Sequence, residues 1–163
     1  MSEPFVEIGS FDRSIDTEIL DREMTVSELD SYHRVSVWVA PFWLSLPESS
    51  EDNELADELV SILNRARVES KTLPKTEEKH FEAIGMDTVA FFILNSIVLP
   101  TVIGILSNFL YAKLDDRKNK LRVLLYVKRG NAYVKATITG DVRNVSKELH
   151  RTLGQVNKLL REE

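Results

Sequence analysis

The chain contains no cysteine, which excludes a disulfide framework, a thiolate metal site and a cysteine nucleophile. Its six glycines and five prolines form no phosphate loop and no dinucleotide fingerprint, and neither GxSxG nor HExxH occurs. The N-terminal stretch MSEPFVEIGSFDRSIDTEIL is acidic and lacks the apolar segment of a secretory signal. A cytoplasmic location is therefore expected. Internal repeats and low-complexity tracts are also missing.

Histidine is scarce. His33, His80 and His150 are far apart in sequence and show no ligand spacing, so isolated surface or boundary positions are expected. Glu77-Glu78-x-x-x-Glu82 and Asp115-Asp116 pair carboxylates, but the glycine and alternating oxygen ligands of a calcium loop are not there. Solvated loops are the better reading. No metal, no cofactor and no catalytic residue is expected, and the chain reads as a non-enzyme.

What is present is globular: 163 residues, 43% hydrophobic and 29% charged, a composition suited to a single packed domain. The net charge of −5 conceals an asymmetry. Residues 1–87 carry 20 acids against 8 Lys or Arg, a net of −12, and residues 113–163 carry 6 acids against 13, a net of +7. Opposed fields of this kind favour docking of the two halves onto each other, or head-to-tail association between chains.

Between the halves lies TVAFFILNSIVLPTVIGILSNFLYA, residues 88–112, without one charge. About 20 apolar residues suffice to cross a bilayer as a helix. The basic residues Lys113, Arg117, Lys118, Lys120 and Arg122 follow directly, and in a spanning chain they would hold the C-terminus in the cytoplasm. Read as one helix of about 100° per residue, Ser96, Pro100, Gly104, Ser107 and Asn108 share one stripe, continued by Tyr111. These six residues are the candidate helix-packing interface, since small and polar side chains let a second backbone approach. Pro100 is expected to bend the helix. A crossing would leave residues 113–163, a hairpin and one helix, near the size where a core alone is marginal. Burial in protein is the preferred reading, with a single-pass anchor in an inner or plasma membrane as the alternative.

Periodicity supplies the remaining elements. Val35, Val37 and Val39 alternate with Ser36, Trp38 and Ala40, predicting a strand over 35–40 that Pro41 interrupts before Phe42, Trp43 and Leu44. Phe5–Ile8 suggests a short strand in the otherwise poorly defined segment 1–30, where Thr25-x-x-Glu28 matches a capping box. Ser49-Ser50, followed by Glu51, Asp52 and Glu54, predicts the start of a helix over 51–66. Residues 68–86, with Pro74 at the centre, read as a linker before a long apolar helix over 88–114. The alternation Leu121, Val123, Leu125, Val127, then Ala132, Val134, Ala136, Ile138 predicts a hairpin, 121–128 and 132–139, around Gly130. A last helix over 144–161 places Val145, Leu149, Leu153, Val156 and Leu160 on one stripe, with Asn144 expected as its cap. The fold expected is α+β, a small mixed or antiparallel sheet packed with three helices.

Trp38, Phe42 and Trp43 suit either a recognition surface or the core, and the core is preferred. Lys128, Arg129, Lys135 and Arg143 are basic residues around the hairpin, but no aromatic-and-basic stacking motif accompanies them, and a nucleic-acid partner is not expected.

From Leu59 to Leu160 the order of elements resembles that of the effector-associated constant components of prokaryotic conflict (anti-phage defence) systems. The likeness rests on Leu73-Pro74, Gly85-Met86, the apolar run, the basic break and the hairpin LRVLLYVKRGNAYVKATITG with its closing helix. The chain departs from that pattern in its Phe-rich, Asn-containing apolar segment and its acidic N-terminal stretch. The resemblance implies a non-enzymatic adaptor or scaffold that couples sensing to an effector, working through a protein partner or self-association, and it assigns no functional residue.

Overall fold

A computed structural model describes residues 5–11, 35–46, 48–73, 86–116, 120–130 and 132–161. The predicted capping box, Pro74, Gly85, His33, His80 and the Glu77-Glu78-Glu82 group lie outside the described residues. The elements in chain order are β1 (Phe5–Phe11), β2 (Val37–Val39), β3 (Phe42–Leu46), β4 (Glu48–Asp52), α1 (Asn53–Arg65), β5 (Ser70–Thr72) and β6 (Met86–Ile93). A 3-10 turn (Ser96–Val98) leads into α2 (Leu99–Leu114), followed by β7 (Lys120–Arg129), β8 (Ala132–Gly140) and α3 (Val142–Arg161).

The fold is mixed α+β, as the periodicity predicts. One sheet runs in the order β1-β8-β7-β6-β2-β5, and the β3–β4 hairpin is attached to β6 where Trp43 faces Thr88. The pairs β6–β7 and β2–β5 are parallel, and the others are antiparallel. The predicted hairpin is present with Leu121 opposite Gly140 and Arg129 opposite Ala132. Gly130, at φ 58°, takes the left-handed turn position that glycine adopts without steric cost. Phe5–Ile8 does belong to a strand, β1, which closes one edge against β8.

The predicted helix over 88–114 is corrected. Its first part, Met86–Ile93, is a strand in the interior of the sheet, between β7 and β2. A strand covered on both faces reads as an unbroken apolar run, and Thr88-Val-Ala-Phe-Phe-Ile93 is rich in the β-branched and aromatic residues that fit a pleated surface. The helix begins only after Asn95, whose side chain accepts from the Ile97 amide at 3.1 Å and caps the 3-10 turn. Pro100 lies in the first turn of α2, where its missing N–H would have had no partner anyway. It starts this helix; it does not bend it. The polar residues that seemed to interrupt a single helix are the boundary between two elements.

Two smaller corrections share a cause. Ser49 and Ser50 are not a helix start, because Glu48–Asp52 pairs with β3 and the helix begins at Asn53. Asn144 is not a cap, since α3 already includes Val142 and the Val145 amide donates to the Asp141 carbonyl. In both cases a residue suited to capping lies within two or three positions of the true start. In the predicted linker, Ser70–Thr72 forms β5 beside β2.

The three helices among the described residues cover one face of the sheet. Val89, Phe91 and Ile93 of β6, Leu121, Val123, Leu125 and Val127 of β7, and Val134, Ala136 and Ile138 of β8 pack there against the helices. Phe42 joins the layers, meeting Phe91 and Phe109 edge-on at 6.5 and 6.0 Å. The other face buries a second cluster that includes Trp38, Phe92, Leu124, Tyr126 and Tyr133. One cross-strand row there reads Trp38, Phe92, Tyr126, Lys135. Phe92 and Tyr126 stack at 4.7 Å, and Lys135 Nζ is 5.6 Å from the Tyr126 ring centre. Trp38, Phe42 and Trp43 are all buried, as the core reading expects.

Candidate functional site

The central helix α2 carries the residues singled out by sequence. Its inner side is apolar: Leu99, Val102, Ile103, Leu106, Phe109, Leu110 and Leu114 are buried. Fully burying one such side chain contributes about 1.5–3 kcal/mol, so this side holds α2 firmly on the sheet. Along the sheet, α3 lies over β8, β7 and β1, and α1 lies against β5 and β2, so α2 is flanked by the other two helices.

The six candidate interface residues do not share one environment. Ser107 is buried and turned to α3, where its Oγ donates to the Ser146 carbonyl and Ser146 Oγ donates to the Ser107 carbonyl, each at 3.3 Å. Reciprocal bonds from short side chains to opposing main chain bring two helices close. Tyr111 is 44% exposed, and the Arg143 guanidinium lies 5.8 Å from its ring centre. Ser96 is half-buried, and Pro100 and Asn108 are exposed. Gly104 is half-buried, but a Cβ placed there would meet no heavy atom within 4 Å.

Missing from the sequence-based selection is Ile97, the most exposed of the large apolar side chains described, at 86%. In an apolar run nothing distinguishes an outward isoleucine from a core one, so only the placement of the helix start could have revealed it. With Pro100, Thr101, Asn108, Tyr111 and Ala112, Ile97 forms an outer face on α2 that contains no charge. The charges stand at its flanks and its C-terminal end. Lys113 Nζ bridges to Glu58 of α1 at 2.6 Å, and Arg143 Nε of α3 bridges to Asp115 at 3.2 Å. The hydrogen bond that Arg143 donates to Asp115, reinforced by the electrostatic influence of Tyr111 and of the Asp115 carboxylate, raises the Arg143 pKa above its ordinary value. Arg143 is thus a fixed positive charge.

At the N-terminal end of this face a cavity of about 360 Å³ opens among Val35, Ser36, Leu94, Asn95, Ser96, Ile97 and Lys128. Its lining offers two hydroxyls, one amide and one amine, which can hydrogen-bond a polar group, and among the described lining residues there is no acid or imidazole to act as a general base. His150 is exposed on α3. Among the described residues no three His, Cys, Asp or Glu side chains are grouped to hold a metal ion. Ser96–Leu114 is long and apolar enough to cross a membrane by length and composition, with 44% of that stretch buried in the protein.

No known protein family, no curated protein and no solved structure matches the chain.

Proposed function

We propose that this chain is a non-catalytic protein-interaction module, an adaptor or scaffold, that engages its partner through the outer face of α2. The observation that carries this reading is the uncharged strip from Ile97 to Ala112 at the centre of the helical layer, with Ile97 86% exposed. Solvated helix faces are ordinarily charged, and an uncharged face that exposes a large apolar side chain within a polar rim suits an interaction site. The rim is present here in Glu58, Lys113, Asp115 and Arg143. The resemblance to effector-associated constant components agrees with a coupling role in prokaryotic defence signalling.

The alternative of a single-pass anchor draws on the apolar length of Ser96–Leu114. Against it stands the cost to the sheet. Withdrawing α2 into lipid would uncover Phe91, Ile93, Val123 and Leu125, all of which pack in the same core as its inner side.

The test is cross-linking and capture from the native cell, with wild type and Ile97→Glu at equal expression. A defined partner, or the chain itself, recovered with wild type and lost with the variant supports the reading. Equal recovery with both, or release of the native protein only by detergent, overturns it.

A further inference from the structure

We propose that the occupant of this face is a second copy of the chain, docked face to face about a two-fold axis that runs along α2, so that the two α2 helices are parallel. The inference rests on the interaction reading above and adds the identity and orientation of the partner.

The layout of charge carries it. α1 contains Glu54, Asp57 and Glu58 against Arg65, a net of −2, and α3 contains Arg143, Lys147, Arg151, Lys158 and Arg161 against Glu148, a net of +4. These helices flank α2 on opposite sides, so the layer runs acidic, uncharged, basic. Two copies can meet face to face about an axis in the contact plane in two principal ways. An axis across the helices sets α3 over its own copy, +4 against +4. An axis along α2 sets each α1 over the partner's α3, −2 against +4, twice. Only the second arrangement is attractive throughout its flanks as net charges.

Position along the helices agrees. The Glu58–Lys113 bridge and the Arg143–Asp115 bridge both mark the C-terminal end of α2. Acidic residues around Glu58 and basic residues around Arg143 therefore stand at the same level, where the two-fold superposes them. At the centre the arrangement is isologous. Thr101 meets Thr101 and Asn108 meets Asn108, and Gly104, with open space above its α-carbon, lets the backbones approach. The footprint is also sufficient. α2 is about 24 Å long at 1.5 Å per residue, and three helices spaced 8–10 Å apart cover roughly 30 Å. That gives roughly 700 Å² a side, close to the standard interface of about 800 Å² per partner.

The chain has no cysteine, so a single introduced thiol is the only one. Sedimentation velocity of wild type between about 1 and 100 μM is expected to show a monomer–dimer equilibrium weakened by salt. Thr101→Cys and Asn108→Cys should each oxidise to a self-linked dimer. A Thr101–Asn108 link formed only in the mixture would mean antiparallel helices and would overturn the orientation. Glu54→Lys with Glu58→Lys should raise the dimer Kd at least tenfold, and so should Arg143→Glu with Lys147→Glu. Mixing these two double variants should restore the dimer, because the positive charges placed at positions 54 and 58 then face the negative charges placed at positions 143 and 147. A mixture that stays monomeric while both variants keep the wild-type circular dichroism refutes the charge pairing. Wild type that is monomeric to 100 μM overturns the second-copy inference. Even then, loss of a native partner on Ile97→Glu would leave the interaction reading standing, so the two failures are distinguishable.

Discussion

Gly104→Ala should stabilise the isolated protomer, although glycine in an apolar helix is commonly read as a contact for a neighbouring backbone. Gly104 lies inside α2, and an added Cβ would meet no heavy atom within 4 Å. No clash therefore offsets the helix-propensity gain, which is about 0.5–1 kcal/mol for replacing an interior glycine by alanine. Part of that gain arises in the unfolded chain, which loses conformational freedom. With a urea m-value of about 2 kcal/mol/M, the midpoint should rise by about 0.25–0.5 M with m unchanged. In a thermal scan the gain is about 1–4 °C for a chain of this size. Measured at about 1 μM or below, the experiment reports on the protomer. At high concentration Gly104→Leu should keep the protomer folded yet abolish the dimer, since the leucine would fill the space left for the partner's backbone. A midpoint lowered by Gly104→Ala at low concentration would refute the reasoning, because it would mean that something within the protomer already abuts this position.

Phe42→Ala removes the ring that meets Phe91 and Phe109 between the layers, and should cost about 3–5 kcal/mol by urea titration. A loss under about 1 kcal/mol would show that β3 does not seat in this core. Asn95→Ala deletes the cap on the Ile97 amide and should cost about 1 kcal/mol, with hydrogen exchange rising first at the start of α2. Unchanged exchange there would contradict the boundary between β6 and α2.

The hairpin, the final helix and the strand before Pro41 were legible because their periods are clean: an alternation of two in Leu121–Val127 and a stripe of helical spacing from Val145 to Leu160. The boundary inside the apolar run was not, and the reason is physical. β6 is buried on both faces and α2 on one, so Thr88–Ile93 and Leu99–Leu114 present the same residue types to a hydropathy reading. Asn95, Ser96 and Pro100 held the information. As a cap, a turn and a first-turn proline they specify a start, whereas one continuous helix makes them merely irregular. Of the candidate stripe, five residues lie within α2, where helical spacing holds: Pro100, Asn108 and Tyr111 are exposed and Gly104 is half-buried, while Ser107 turns to α3, and Ser96 stands in the 3-10 turn beside the cavity. Ser107 packs against α3, and its partner, Ser146, lies 39 residues away with no local signal.

The opposition of charge between the two halves of the sequence acquires a different meaning in the folded chain. Were it there to hold the halves together, the acidic and basic helices would be expected to lie side by side. They lie apart instead, on either side of α2, and the ion pair that does join the two halves, Glu58 with Lys113 at the end of α2, is solvent-exposed. Hydrophobic burial on the helix-covered face already joins the halves, since β6 and α1 share one core with β7, β8 and α3, and exposed ion pairs add little to that. What separated charge can supply is orientation, because an uncharged strip by itself accepts a partner in either direction. Reversing α1 alone should therefore change which way, or whether, two chains meet while leaving the protomer's urea midpoint nearly unmoved. A large fall in that midpoint for Glu54→Lys with Glu58→Lys would return the charge asymmetry to a folding role and remove the reason for a parallel dimer.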